Sequence, residues 1–225
     1  VSVAVGVVAH TARLTQALAL LLSVGPDWVS VDDGELGCTG NHLTVWAALL
    51  ERRADWLVVV EDDAVPCDDF REQLEHALAV APTDIVGLYL GRTYPVAGQM
   101  DIAHVRNDPA HWALSTQLRH AVGTAMRAEL VDDMLHSTDR GLPIDEAITQ
   151  WAKARGHLVG YTRPSLLNHA DTAPLITARA DGAPRDSGPR TAWAHGGRPA
   201  WNSTTVALGQ LPGRAPARHF SRRMA

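Results

Sequence analysis

The chain has 225 residues, 46% of them apolar, which is enough to bury a core and excludes a disordered or collagen-like polymer. Its formal charge of −5 excludes a general nucleic-acid binder, which needs a basic face against phosphates. The charge is uneven: residues 1–184 carry −11, residues 185–225 carry +6, and Lys153 is the single lysine among 20 cationic side chains.

Residues 1–9 are a continuous apolar run rich in valine, the pattern of a strand buried on both faces. A polar break, His10-Thr11-Ala12-Arg13, leads into a predicted helix over 14–24 that Gly25-Pro26 ends. A second strand at 28–31 runs into Asp32-Asp33-Gly34. A glycine-rich stretch reaches Gly40, and a helix is predicted over 41–53 with Asn41 as its N-cap. The third strand, 55–60, ends on Glu61-Asp62-Asp63.

Further helices are predicted at 68–80, 129–138 and 143–155, and strands at 84–90, 121–125 and 158–162, with 91–120 a surface excursion. Strands alternating with helices predict an α/β domain over 1–177 with a mostly parallel central sheet. The Arg/Pro/Gly-rich residues 178–225 predict a C-terminal tail, ordered in part around Trp193 and Trp201. Cys38 and Cys67 cannot make a disulfide scaffold. Residues 1–10 lack a secretory leader pattern, and no run reaches the roughly 18 apolar residues of a membrane span. The expectation is a cytoplasmic protein.

In a parallel sheet, ligands sit beyond the carboxyl ends of the strands, and three consecutive acids there are the most informative feature. A hard divalent cation, Mg²⁺ or Mn²⁺, relieves their repulsion and leaves positions for a nucleotide diphosphate; the alternative is a solvated acidic turn. The end of the first strand, Val8-Ala9-His10 with Arg13 behind it, offers amides and polar groups to a base and ribose. Arg13 is either a base- or phosphate-contacting group or a surface arginine. Asp32 and Asp33 either contact the base or ribose or form a turn before Gly34. Cys38 has no partner cysteine at metal-ligand spacing and reads as a small buried group.

Residues Gly34-Glu35, Gly37-Cys38, His42, Trp46 and Glu61-Asp62-Asp63 follow, in order and at matching separations, the pattern of glycosyltransferase family 25. The chain resembles this family of lipopolysaccharide and procollagen-type galactosyltransferases. Asn41 stands where the family usually has Ser, and Gly141–Trp151 (GLPIDEAITQW) is similar to the family's second acidic segment. Together these segments span about half the chain.

The resemblance implies a GT-A type, Rossmann-like fold and inverting transfer of a hexose from a nucleotide-sugar, UDP-linked, to a hydroxyl on a glycan or protein. It implies Mn²⁺ (or Mg²⁺) held by Asp63, with Glu61 and His169 as further ligands, while Glu61 or Asp62 faces the donor's ribose and sugar. His42 then covers the donor; otherwise it packs inside. His169 is otherwise a loop histidine. An inverting enzyme needs a general base, for which Asp145 is the first candidate and Glu146 the second. Otherwise Asp145 is a helix-start charge favoured by the dipole. Tyr94, His111 and Trp112 are aromatic candidates for the acceptor side, or core anchors. The Arg-for-Lys bias fits a compact bacterial or phage-encoded version. Two alternatives stand: a GT-A-like nucleotidyltransferase, although residues 9–16 lack the glycine-rich loop such enzymes carry, and a catalytically silent sugar- or nucleotide-binding module.

Overall fold

The computed structural model describes residues 1–92, 99–100, 109–170, 175 and 190–209. Ten strands and five α-helices have both ends among them, besides a 3₁₀ turn at Thr11–Arg13. In chain order they are β1 (Val3–His10), α1 (Leu14–Val24), β2 (Trp28–Asp32), α2 (Gly37–Leu50), β3 (Trp56–Glu61), β4 (Ala64–Pro66), α3 (Phe70–Ala79) and β5 (Ile85–Gly87). Then come β6 (Trp112–Ser115), β7 (Gly123–Arg127), α4 (Ala128–Ser137), α5 (Ile144–Arg155), β8 (Val159–Thr162), β9 (Leu167–His169) and β10 (Thr205–Ala207).

Eight strands form one sheet in the order β10-β6-β8-β5-β7-β3-β1-β2. Four of its seven pairings are parallel and three antiparallel, so the sheet is mixed, with β7 running against both β3 and β5. The chain leaves β1 through α1 to β2 on one side, then returns through α2 to β3 on the other. Right-handed crossovers in opposite directions put α1 and α2 on opposite faces and open a crevice at the carboxyl ends of β1 and β3.

Side-chain alternation along β3 sets the packing. Leu57 and Val59 join the core under α2, α4 and α5, while Trp56, Val58 and Val60 join the core under α1 and α3. Gly6 in β1 lets α2 lie close, because a Cβ there would sit 2.3 Å from Cγ1 of Val45.

Two expectations change. The 91–120 excursion contains β6, which lies inside the sheet, and Trp112 is fully buried there, its Nε1 donating to the Asn202 carbonyl at 2.7 Å. Residues 190–209 supply the outermost strand, β10, and Trp201 packs against Trp112 with ring centroids 5.7 Å apart. Short strands of ordinary composition are fixed by their distant partners rather than by local pattern. Among the described residues, no helix is long and apolar enough to cross a membrane.

Candidate active site at the ends of strands one to three

The acidic triplet splits by the same alternation that packs the core. Glu61, paired in register with Val8, continues the Leu57–Val59 side and meets α2. Its Oε1 lies 3.0 Å from Nε2 of His42, which is only 2% exposed. Asp62 turns to the α1 side, where Oδ2 accepts the His10 backbone N–H at 2.8 Å and Oδ1 accepts from Arg13 at 3.1 Å. Arg13 also contacts Asp63 directly. Arg13 is therefore a buried site cation, and its guanidinium draws two carboxylates together that would otherwise repel.

Asp63 and His169 are joined by the small β4–β9 sheet, in which Ala64 opposes His169 and the Ala170 N–H bonds the Asp63 carbonyl at 2.8 Å. His169 Nε2 lies 3.6 Å from Asp63 Oδ2. Its Nδ1 is 2.6 Å from the Ala170 carbonyl, which can only accept, so Nδ1 carries a proton and Nε2 is the ring nitrogen turned towards the carboxylate. Asp63 Oδ1 is buried without a hydrogen-bond partner. An imidazole nitrogen beside a carboxylate with one orphaned oxygen is suited to a divalent cation, and the backbone bond at Nδ1 is what a metal-ligating histidine ordinarily makes. Burial, with repulsion from Glu61, pushes the Asp63 carboxyl above its usual range despite His169 and Arg13.

His42 shows the opposite balance. Burial opposes its charge, but hydrogen bonds with Cys38 and Glu61 outweigh that and lift it to about 9. Burial works upward on Glu61 too, and the bond and charge of His42 overcome it, holding the carboxyl below its usual range. A protonated imidazole facing a carboxylate results. Cys38 corrects the sequence reading: it is exposed, not buried. The cause is where α2 starts. Asp32 accepts the Leu36 and Gly37 N–H groups at 3.0 and 3.1 Å, so the helix begins at Gly37 rather than Asn41. Asn41 is consequently no N-cap. It is buried and donates to the Ala9 carbonyl at 3.1 Å.

The other expected residues fall as follows. Val8 and Ala9 are packed inside, at the crevice floor. His10 is half-buried, with Nδ1 accepting the Ala12 N–H at 3.0 Å. Asp32 is buried and committed to the start of α2, with its carboxyl held below the usual range chiefly by the Leu36 N–H. Asp145, half-buried, and Glu146, exposed, open α5, which Thr39 ties to α2 by donating to the Leu142 carbonyl at 2.8 Å. One turn on, Thr149 clasps the backbone of Leu118. The loop so held presents His120, whose charge reaches Glu61.

Trp112 is a core anchor, and half-buried His111 holds the Asn202 N–H on its Nδ1 at 3.0 Å. Tyr94 lies outside the described residues. Sequence reasoning missed Tyr89 and His120. The Tyr89 ring stands 5.3 Å from His120 and 6.0 Å from His169, completing an aromatic wall beside the acids. Neither residue sits in a local motif.

Residues 29–95 match the family model of glycosyltransferase family 25, the LPS biosynthesis protein family. The match covers less than a third of the chain, and over that stretch the sequence is similar to family 25 glycosyltransferases. The matched segment contains α2, β3 and the whole acidic triplet, so the similarity lies in the segment that builds the crevice. No curated protein matches the chain. A solved structure of A197 from STIV is 14% identical, with TM-score 0.45, covering 74% of this chain and 85% of its own. A mannose-1-phosphate geranyltransferase from Thermus thermophilus is likewise 14% identical, with TM-score 0.40 and coverages of 72% and 74%. At those scores neither carries functional weight.

Proposed function

We propose that this protein is a metal-dependent, inverting glycosyltransferase of GT-A type. It moves a hexose from a UDP-linked donor to a hydroxyl on a glycan or protein. The observation that carries the reading is the Asp63–His169 pair: His169 Nε2 stands 3.6 Å from Asp63 Oδ2, and the second Asp63 oxygen is buried without a partner. Asp63 and His169 would hold Mn²⁺ or Mg²⁺, which would supply charge neutralisation to the departing diphosphate.

The chain's own residues do the rest. Arg13 fixes Asp62 and Asp63 and keeps a cation at the crevice where phosphate oxygens arrive. The His10 loop borders the nucleotide, and Glu61, aligned by His42, faces the sugar side. Asp145 takes the acceptor hydroxyl proton as the acceptor oxygen bonds to the anomeric carbon and the bond to the diphosphate breaks, so UDP leaves and the configuration inverts.

The test is incubation of the full chain with UDP-hexoses and Mn²⁺, with and without EDTA. Chelator-sensitive release of UDP is expected. Release of pyrophosphate from a sugar phosphate and UTP would instead make it a nucleotidyltransferase, and donor binding without turnover a silent module.

A further inference from the structure

We propose that Cys38, His42 and Glu61 form a second cation site, for a thiophilic divalent ion of the Zn²⁺ class, on the α2 side of β3. It is distinct from the Asp63–His169 pair. The early start of α2 at Gly37 places Cys38 and His42 four residues apart on one face of the helix. The alternation of β3 sends Glu61 to that same face. One ligand atom from each residue, the Cys38 sulfur among them, lies within 4.8 Å of the other two.

The donor set selects the ion. Thiolate, imidazole and carboxylate together suit zinc, whereas Mg²⁺ and Mn²⁺ prefer the oxygen-rich surroundings of the acidic triplet. His42 and Glu61 are held 3.0 Å apart, and Cys38 stands at the surface. Three protein ligands with one solvent-facing side leave a fourth position for water and a path for the ion. Bound there, the ion fastens the first turn of α2 to the end of β3.

The test uses Co²⁺ as a spectroscopic stand-in for Zn²⁺ on the full, reduced chain. A thiolate-to-cobalt charge-transfer absorption is expected, abolished by stoichiometric Zn²⁺. It should be lost in Cys38→Ser and kept in Asp63→Ala. Because Cys38 is exposed, Cys38→Ser leaves the core intact, which far-UV circular dichroism checks. No such absorption in the wild type, or its persistence in Cys38→Ser with buried Cys67 the sole remaining thiol, overturns the site. The unmutated chain gives a second reading: Zn²⁺ should slow alkylation of Cys38 by about tenfold or more, since a metal-bound thiolate is a poor nucleophile, and an unchanged rate contradicts the proposal. None of these readouts depends on transferase activity, so they stand or fall separately from the proposed function.

Discussion

The two halves of the central sheet handle polar groups in opposite ways. Between β1 and β3, strands buried on both faces deliver Glu61, Asp62 and Asp63 into one crevice, where an arginine and histidines offset their charge and one carboxylate oxygen stays unpartnered. In the half from β5 to β10, buried polar groups are consumed in fastening the chain: Trp112 to Asn202, Thr149 to Leu118, and the Tyr161 hydroxyl between the Arg119 amide and the Gln117 carbonyl. The first half leaves a carboxylate oxygen unpartnered at the crevice, and these polar groups of the second half support β6 and β10. Substitutions should therefore separate activity from stability according to the half they touch.

The largest stability effect is expected in the second half. Trp112→Ala empties a fully buried site against Trp201 and should cost about 3–5 kcal/mol, measured by urea unfolding, while folded molecules keep their donor affinity. Loss of donor binding without loss of stability would break the division. In contrast, Asp145→Asn should lower kcat by about 10²–10⁴-fold with donor affinity and unfolding midpoint unchanged, as removal of a general base requires. Unchanged transfer kinetics would remove Asp145 from the mechanism.

Much of the first half was legible because its signals are local. Apolar runs ended on charge at His10, Asp32 and Glu61, and the β-α-β order implied that those ends meet. The start of α2 was not legible, because the capping oxygens belong to Asp32, upstream of the glycine-rich stretch, and not to Asn41. That shift hid the grouping of Cys38 with His42. The second half read poorly for another reason. Trp-Ala-Leu-Ser at β6 and Thr-Val-Ala at β10 have no alternation of their own and become strands by pairing with each other. Tyr89 and His120 reach the crevice through sheet order, which only tertiary structure sets.

Smaller effects sharpen the comparison. Gln73 Oε1 accepts both the Arg198 N–H and the Trp201 indole N–H, at 2.8 and 2.9 Å, and so anchors the segment leading to β10. Gln73→Ala should cost about 1–3 kcal/mol in urea unfolding by orphaning two donors, with turnover per folded molecule retained. The smallest effect lies between α4 and α5, where Arg155, and then the Trp151 indole, hold the Asp133 carboxyl down at about 2, from an ordinary 3.8. The sign follows from the depressed value: the pair's stabilisation is complete above the ordinary carboxylate range and disappears as pH falls through about 2. Melting temperatures of wild type and Arg155→Ala should thus differ slightly near neutral pH and converge in acid. A gap that widens on acidification would contradict the ion pair.

The most direct test of the central claim is calorimetric titration of UDP into the full chain with Mn²⁺, repeated with EDTA and with Asp63→Ala. The account predicts binding in Mn²⁺ that disappears with chelator and falls by about 10²–10³-fold in the variant, the several kcal/mol that a metal contact to the diphosphate supplies. Equal UDP affinity in Mn²⁺ and in EDTA, or an unaltered affinity in Asp63→Ala, would contradict it.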